Sequence, residues 1–147
     1  MHILFTRPLE DSKEIISRFQ NLGHKVSHLP VLNIKEKKHE KINFSNYSAA
    51  IFTSANSIKY LKSNNIDKNI ICFCVGEATE RKASSFGFQN IFSAEGNVHN
   101  LKEIILRNFS PKNGNLLYVS GETITMELDK KLMSDGYKVD RIINYSS

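Results

Sequence analysis

Four short stretches carry side chains suited to holding an anion, and each follows a run of apolar residues. Thr6 and Arg7 follow the first run, and Thr53 and Ser54 follow Ala49, Ala50, Ile51 and Phe52. Gly76, Glu77 and Thr79 follow the run at residues 70–75, and Ser120, Gly121, Glu122 and Thr123 follow the run at 116–119. Hydroxyls donate and accept hydrogen bonds, a guanidinium pairs with a carboxylate through two parallel bonds, and glycine lets a ligand come close to the backbone. The sharpest of the four is the junction at residues 49–57, where Asn56 adds an amide. There Ile58 and Leu61 fall on one side of a helix. A helix start leaves N–H groups without partners and gathers the positive end of the peptide dipoles, so it attracts anions. The same hydroxyls also serve as caps that satisfy those N–H groups and bind nothing else. The residues leave both readings open at each strand end. No G-x-G-x-x-G, P-loop or G-x-S-x-G pattern is present, nor a close carboxylate pair. The chemistry such a rim supports is positioning by neutral donors.

The elements that must carry this rim alternate along the chain. Residues 2–6 read as a strand, and Ile15, Ile16, Phe19 and Leu22 mark one face of a helix capped by Asp11 or Ser12. Gly23 ends that helix, and residues 25–29 form the next strand, closed by Pro30. The helix–glycine–strand order recurs at Gly87 before a short strand at 91–92, and at Gly136 before a strand at 139–143. Between them lie strands at 70–75 and 116–119. Helices start at Glu77, surround Leu101, Ile104 and Ile105, and span 126–133. Strands of continuous apolar residues alternating with helices predict an α/β fold, a flavodoxin-like parallel sheet with helices on both faces. In such sheets ligands bind where the carboxyl ends of the strands meet the following helices, which is where all four stretches fall.

The 147 residues are 40% hydrophobic and 24% charged, with a net charge of +5. That balance makes a globular chain and favours an acidic partner, a polycarboxylate or phosphate. Nucleic acid is not expected, because the lysines are scattered and no basic stripe is interleaved with aromatics. The dense run at residues 35–41 is broken by glutamates and reads as a solvated connection. No apolar run approaches the ~20 residues of a spanning helix, and the first residues lack an export signal, so no membrane role is expected. Cys72 and Cys74, two apart in an apolar run, point to one face of a strand and read as reduced core thiols of a cytoplasmic protein. The histidines show no ligand spacing, and no metal or cofactor is expected.

The order of motifs resembles the uroporphyrinogen-III synthase family. I-L-F-T-R-P (3–8), L-G-H-K-V with L-P-V-L (22–32), A-I-F-T-S-A-N-S-I (50–58), V-G-E-A-T (75–79), G-F-Q-N-I (87–91), L-L-Y-V-S-G-E (116–122) and D-G-Y-K-V-D with Y-S (135–146) follow one another over nearly the whole chain. The resemblance implies an enzyme that closes hydroxymethylbilane to uroporphyrinogen III, inverting the last pyrrole through a spiro intermediate, without cofactor. It implies Tyr145, beside an interdomain cleft, as the catalytic group that hydrogen-bonds the departing hydroxyl; a phenol keeps its proton at neutral pH. Tyr145 reads equally as a buried aromatic of the domain connection. Arg7, Thr53, Ser54, Asn56, Gly76, Thr79 and Gly121 are the implied substrate-binding residues. The family often carries Arg where this chain has Ser120.

The resemblance further implies two α/β domains, the first discontinuous. Residues 1–32 then form the opening β-α-β of the first domain, residues 33–141 a complete second domain, and residues 142–147 a returning linker strand, with 31–34 as the outgoing one. The rest of the first domain is absent, so Ile15, Ile16 and Phe19 are expected to lack most of their sheet. A monomer is expected at full family length, with the uncovered segment a route to association. Three functions stay open on the sequence: a tetrapyrrole cyclase, an inactive remnant of that family, and an unrelated flavodoxin-like module that binds a nucleotide or anion or docks a partner.

Overall fold

A computed structural model describes residues 1–6, 9–28, 34–65, 67 and 69–147. The chain divides into two compact units, 1–35 (with Ser147) and 36–146. In the first, β1 (His2–Phe5) and β2 (Lys25–His28) pair in parallel around α1 (Leu9–Asn21), with His2 opposite Lys25 and Ile3 opposite Val26. Gly23 closes the helix at φ +86, where its N–H donates to the Gln20 carbonyl. Phe19 packs between Phe5 and His24, each 5.9 Å away between ring centres. Two strands cover little: Leu4 is 59% exposed, Ile15 44% and Leu22 72%, while Ile16 and Phe19 are half-buried.

The second unit is built on a six-stranded sheet. β3 (Lys35–Glu36), at the unit boundary, is followed by β4 (Ile42–Asn43), a 3-10 turn at Phe44–Asn46, β5 (Ala49–Phe52) and α2 (Ala55–Lys59). Then come β6 (Ser63–Asn65), β7 (Ile71–Val75), α3 (Glu77–Phe86), β8 (Asn90–Ala94) and α4 (Val98–Asn108). A 3-10 turn at Pro111–Asn113, β9 (Leu116–Gly121), α5 (Leu128–Ser134) and β10 (Val139–Ser146) complete it. The spatial order is β3-β10-β9-β5-β7-β8, and the five long strands are parallel. Taken in chain order those five run 3-2-1-4-5, with the reversal between β5 and β9; flavodoxin itself runs 2-1-3-4-5. Which strands neighbour which is not written in the alternation of elements.

All four residues of β5 are buried, and period two divides them between two cores. Ala50 and Phe52 join Ile58 and Leu61, Ala83 of α3, and both cysteines. Ala49 and Ile51 join Leu101 and Ile105 of α4 and Leu128 and Leu132 of α5 on the opposite face. Each fully buried Leu, Ile or Phe contributes about 1.5–3 kcal/mol, so the continuous apolar strands hold the unit together. The sheet with helices on both faces is thus the expected class. Cys72 and Cys74 are free and buried; the hydrogen bond to Cys74 and then burial push the Cys72 thiol upward, which leaves it inert.

Several boundaries differ from the sequence reading. The helix after Ser54 is only five residues long, because Tyr60 leaves helical geometry although Ile58 and Leu61 are buried as their spacing predicts. The last helix starts at Leu128 rather than 126, and residues 90–94 form a longer strand than 91–92. Residues 35–36, in the run expected to be a solvated connection, are a strand, and the Lys37 N–H donates to the Asn144 carbonyl at 2.8 Å. A separate parallel pair, β4 with β6, has no counterpart in the pattern. The strand expected at 139–143 runs on through residues 142–146 as one element, paired with β9 across a register shift between Ile143 and Tyr145. Residues 31–33 of the expected outgoing linker strand lie outside the described residues. Among the described residues, no helix is long and apolar enough to cross a membrane.

Candidate active site at the carboxyl ends of the central strands

The reversal between β5 and β9 leaves a crevice above their carboxyl ends, the place where doubly wound sheets bind ligands. A pocket of about 170 Å³ lies there. Thr53 and Ser54 come to it from the end of β5, Tyr118 and Gly121 from β9, and Tyr145 from β10. The segment between β9 and α5 supplies Thr123, Ile124, Thr125 and Met126, and Val98 opens α4 beside them. Six of these side chains carry hydroxyls and none is charged among the described residues, so the pocket offers neutral donors and acceptors.

Each wall has a local cause. Ser54, in extended geometry, is the cap of α2: its Oγ accepts the Asn56 N–H at 3.2 Å, and its carbonyl accepts the Ser57 hydroxyl at 2.6 Å. Of the two readings the residues leave open at this helix start, the cap is formed. A five-residue helix aligns too few peptides to hold an anion by its dipole, and the Ser54 hydroxyl already satisfies one of its first N–H groups. Ser54 therefore acts as cap and pocket wall together. Burial raises the Tyr118 pKa; the neighbouring Thr53 hydroxyl and the Arg141 charge oppose the rise, while Asp129 and Tyr145 add to it. Tyr118 therefore stays a neutral donor.

Gly121 has a different role from close approach by a ligand. A Cβ there would lie 2.6 Å from both Cε2 and Cζ of Tyr145 and 2.9 Å from its hydroxyl oxygen. The glycine is the seat on which the Tyr145 ring rests. Tyr145 stands opposite Gly121 after a register slip between Ile143 and Tyr145, and its carbonyl accepts the Glu122 N–H at 2.9 Å. The turn beyond β9 is held by Arg141 of the neighbouring strand. Arg141 Nε donates to Ser120 Oγ at 2.8 Å, and Nη2 donates to the carbonyls of Gly121 and Glu122 at 2.9 and 3.3 Å. A guanidinium delivered by β10 thus sits against Ser120 of β9. Lys37 pairs with Glu122 at 2.8 Å on the outer side of the same turn.

Of the residues singled out from sequence, Thr53, Ser54, Gly121 and Tyr145 come together in this pocket. Asn56, Gly76 and Thr79 do not line it. Asn56 lies half-buried in α2, and Gly76 caps α3 at φ +85 with its N–H on the Ala94 carbonyl. Thr79, 4% exposed, packs inward from α3. Gly76 and Thr79 follow β7, away from the reversal, whereas Asn56 stands beside Ser54 and gives it its N–H. Arg7 lies outside the described residues. Sequence reasoning missed Tyr118 and Arg141. The first was hidden in an apolar strand, the second in a strand read only for its hydrophobic positions.

The sequence matches the family profile described as uroporphyrinogen-III synthase HemD over residues 13–147. No curated protein matches it significantly. Among solved structures it is similar to the uroporphyrinogen-III synthetase of Helicobacter pylori 26695, with a TM-score of 0.61 at 18% identity, covering 99% of this chain and 61% of that one. A mutant uroporphyrinogen III synthase of the extremely thermophilic bacterium Thermus thermophilus gives a TM-score of 0.56 at 13% identity, covering 99% and 62%. A second structure of the Thermus thermophilus uroporphyrinogen III synthase gives 0.51 at 14%, covering 99% and 62%. The chain spans about three fifths of the length of these structures.

Proposed function

The chain belongs to the uroporphyrinogen-III synthase family, and from that membership we propose that it acts on hydroxymethylbilane, closing it to uroporphyrinogen III with inversion of the last pyrrole. The observation that carries the reading is the hydroxyl-lined pocket at the strand reversal, with the Tyr145 phenol seated on Gly121. Its volume of about 170 Å³ is below the roughly 300–1,000 Å³ that encloses a whole drug-sized ligand. It fits one substituted pyrrole or its acid side arms and leaves the rest of the linear tetrapyrrole outside.

Hydroxymethylbilane closes without inversion when left alone, so the task is to hold its end ring for attack at the substituted carbon. Holding reacting groups in place lowers a barrier by several kcal/mol without a strong base. In this reading the Tyr145 phenol donates a hydrogen bond to the departing hydroxyl. Thr53, Tyr118 and Thr123 bond the substrate's carboxylates, and Ser54 fixes the wall from which Thr53 projects. The Arg141 charge behind the β9 turn, with a net charge of +5, draws the acidic substrate toward this end of the sheet. Residues 1–32, in the same reading, are the opening of a first domain, residues 33–141 the second domain, and residues 142–147 the returning linker strand, which adds Tyr145 to the pocket.

Incubation of the chain with hydroxymethylbilane, with the I and III isomers resolved by chromatography, tests the reading. Isomer III above the uncatalysed background is the expected result. Isomer I alone, at the spontaneous rate, refutes catalysis by this chain; tight binding of substrate alongside it would mark a non-catalytic member of the family.

A further inference from the structure

The residue preceding Tyr145 is a fully buried amide. Asn144 is 0% exposed, and burying an amide is costly unless it is hydrogen-bonded. Its Nδ2 donates to the carbonyl oxygen of Ser57 at 2.7 Å, while Oδ1 has no partner among the described residues. The acceptor needs this bond. In a longer helix the Ser57 carbonyl would take the N–H four residues on, but Leu61 N–H donates to Ile58 instead, because α2 ends at Lys59. Asn144 thus satisfies a carbonyl that the short helix leaves open.

The same residue sits in the register slip of β10. Consecutive residues of a strand point to opposite faces, and a bulge shifts how they pair with the neighbouring strand. Asn144 reaches α2 on the face of Phe52 and Ile142, and Tyr145 lies across Gly121 on the side of Val98 and Met126. One hydrogen bond therefore joins the strand that delivers Tyr145 to the helix that Ser54 caps, and both residues line the pocket. We propose that Asn144 is a positioning residue for Tyr145, clamping the β10 bulge to α2 and so setting the phenol's place in the pocket. Its kinetic consequence rests on the synthase reading above; its effect on the Tyr145 ring does not.

Asn144→Leu keeps the branched shape and removes the donor, and Asn144→Ala is the second variant should the first not fold. With tyrosine ring carbons labelled, the Tyr145 resonance is assigned by its loss in Tyr145→Phe. It is expected to shift and broaden in the Asn144 variants while that of Tyr137, in the core formed with α5, stays in place. With hydroxymethylbilane, kcat for isomer III falls between about tenfold and a hundredfold, the scale of a reacting group displaced by up to an ångström, with KM little changed. In a Tyr145→Phe background, Asn144→Leu adds no further loss, because both changes act through one group. An unmoved Tyr145 resonance in a folded variant, or losses that simply multiply in the double variant, overturns the proposal. If the unsubstituted chain makes isomer I alone, the synthase reading fails, and the ring resonance still decides the positioning role.

Discussion

Replacing Gly121 by alanine puts one methyl group where the Tyr145 ring lies. The added Cβ would be 2.6 Å from Cε2 and from Cζ. Ordinary van der Waals contact between carbons is about 3.5–4.0 Å, so the ring must retreat by roughly 1 Å. Gly121 is not among the glycines at positive φ, so its backbone accepts alanine and the whole effect comes from this contact. The ring is tethered close by, since the Tyr145 carbonyl holds the Glu122 N–H at 2.9 Å and Asn144 is clamped to Ser57. Overpacking of this kind costs about 1–3 kcal/mol. Urea unfolding of Gly121→Ala should show a loss in that range, and near zero when the same substitution is made in Tyr145→Ala, where the ring is gone. A coupling of about 1 kcal/mol or more between the two positions is the signature of direct contact. In the isomer assay, Gly121→Ala should lower kcat for isomer III by on the order of a hundredfold. Additive stability losses in the double variant would refute the seat assigned to Gly121, whatever the assay shows.

Two other measurements follow. Tyr47 donates to Asp140 Oδ2 at 2.8 Å, and burial, then that bond, then the carboxylate's charge push its pKa from 10.0 up to about 12. The folded protein keeps this proton longer than the unfolded chain does, so the contribution is whole below pH 10 and lost as pH climbs toward 12. Stability should fall across that window more steeply in the unsubstituted protein than in Tyr47→Phe; equal slopes would contradict the assignment. Among the residues of 1–27 whose burial is described, every one is exposed or half-buried, whereas β5 and β9 are buried throughout. Amide exchange should therefore be fast in the first unit and slowest in β5, β7 and β9, and equal protection in a monomer would count against it.

Much of the fold was legible because its signals are local. The four apolar residues before Thr53, the run holding both cysteines and the run beginning at Leu116 are strands, since a strand covered on both faces needs apolar residues at every position. Gly23, Gly87 and Gly136 follow helices at positive φ, where other residues are strained. The site was half legible. Thr53 and Ser54 stood out because polar residues abruptly follow an apolar run, and Tyr145 through its place in the order of motifs. Tyr118 carried no such mark, because a buried tyrosine in a strand reads as core until a neighbouring strand sets the Thr53 hydroxyl beside it.

The sequence by itself thus determined the alternation of strands and helices, the faces they bury and the family to which the motif order points. These rest on periodicity, capping and turn chemistry, interactions that span a few residues. Only the tertiary structure decided that β9 lies beside β5, that Gly121 is a seat for an aromatic ring rather than an opening for a ligand, and that Arg141 and Asn144 brace that seat. Those are contacts between elements far apart in the chain. They are set by how two cores pack on one sheet and by a single slipped register, neither of which leaves a local trace.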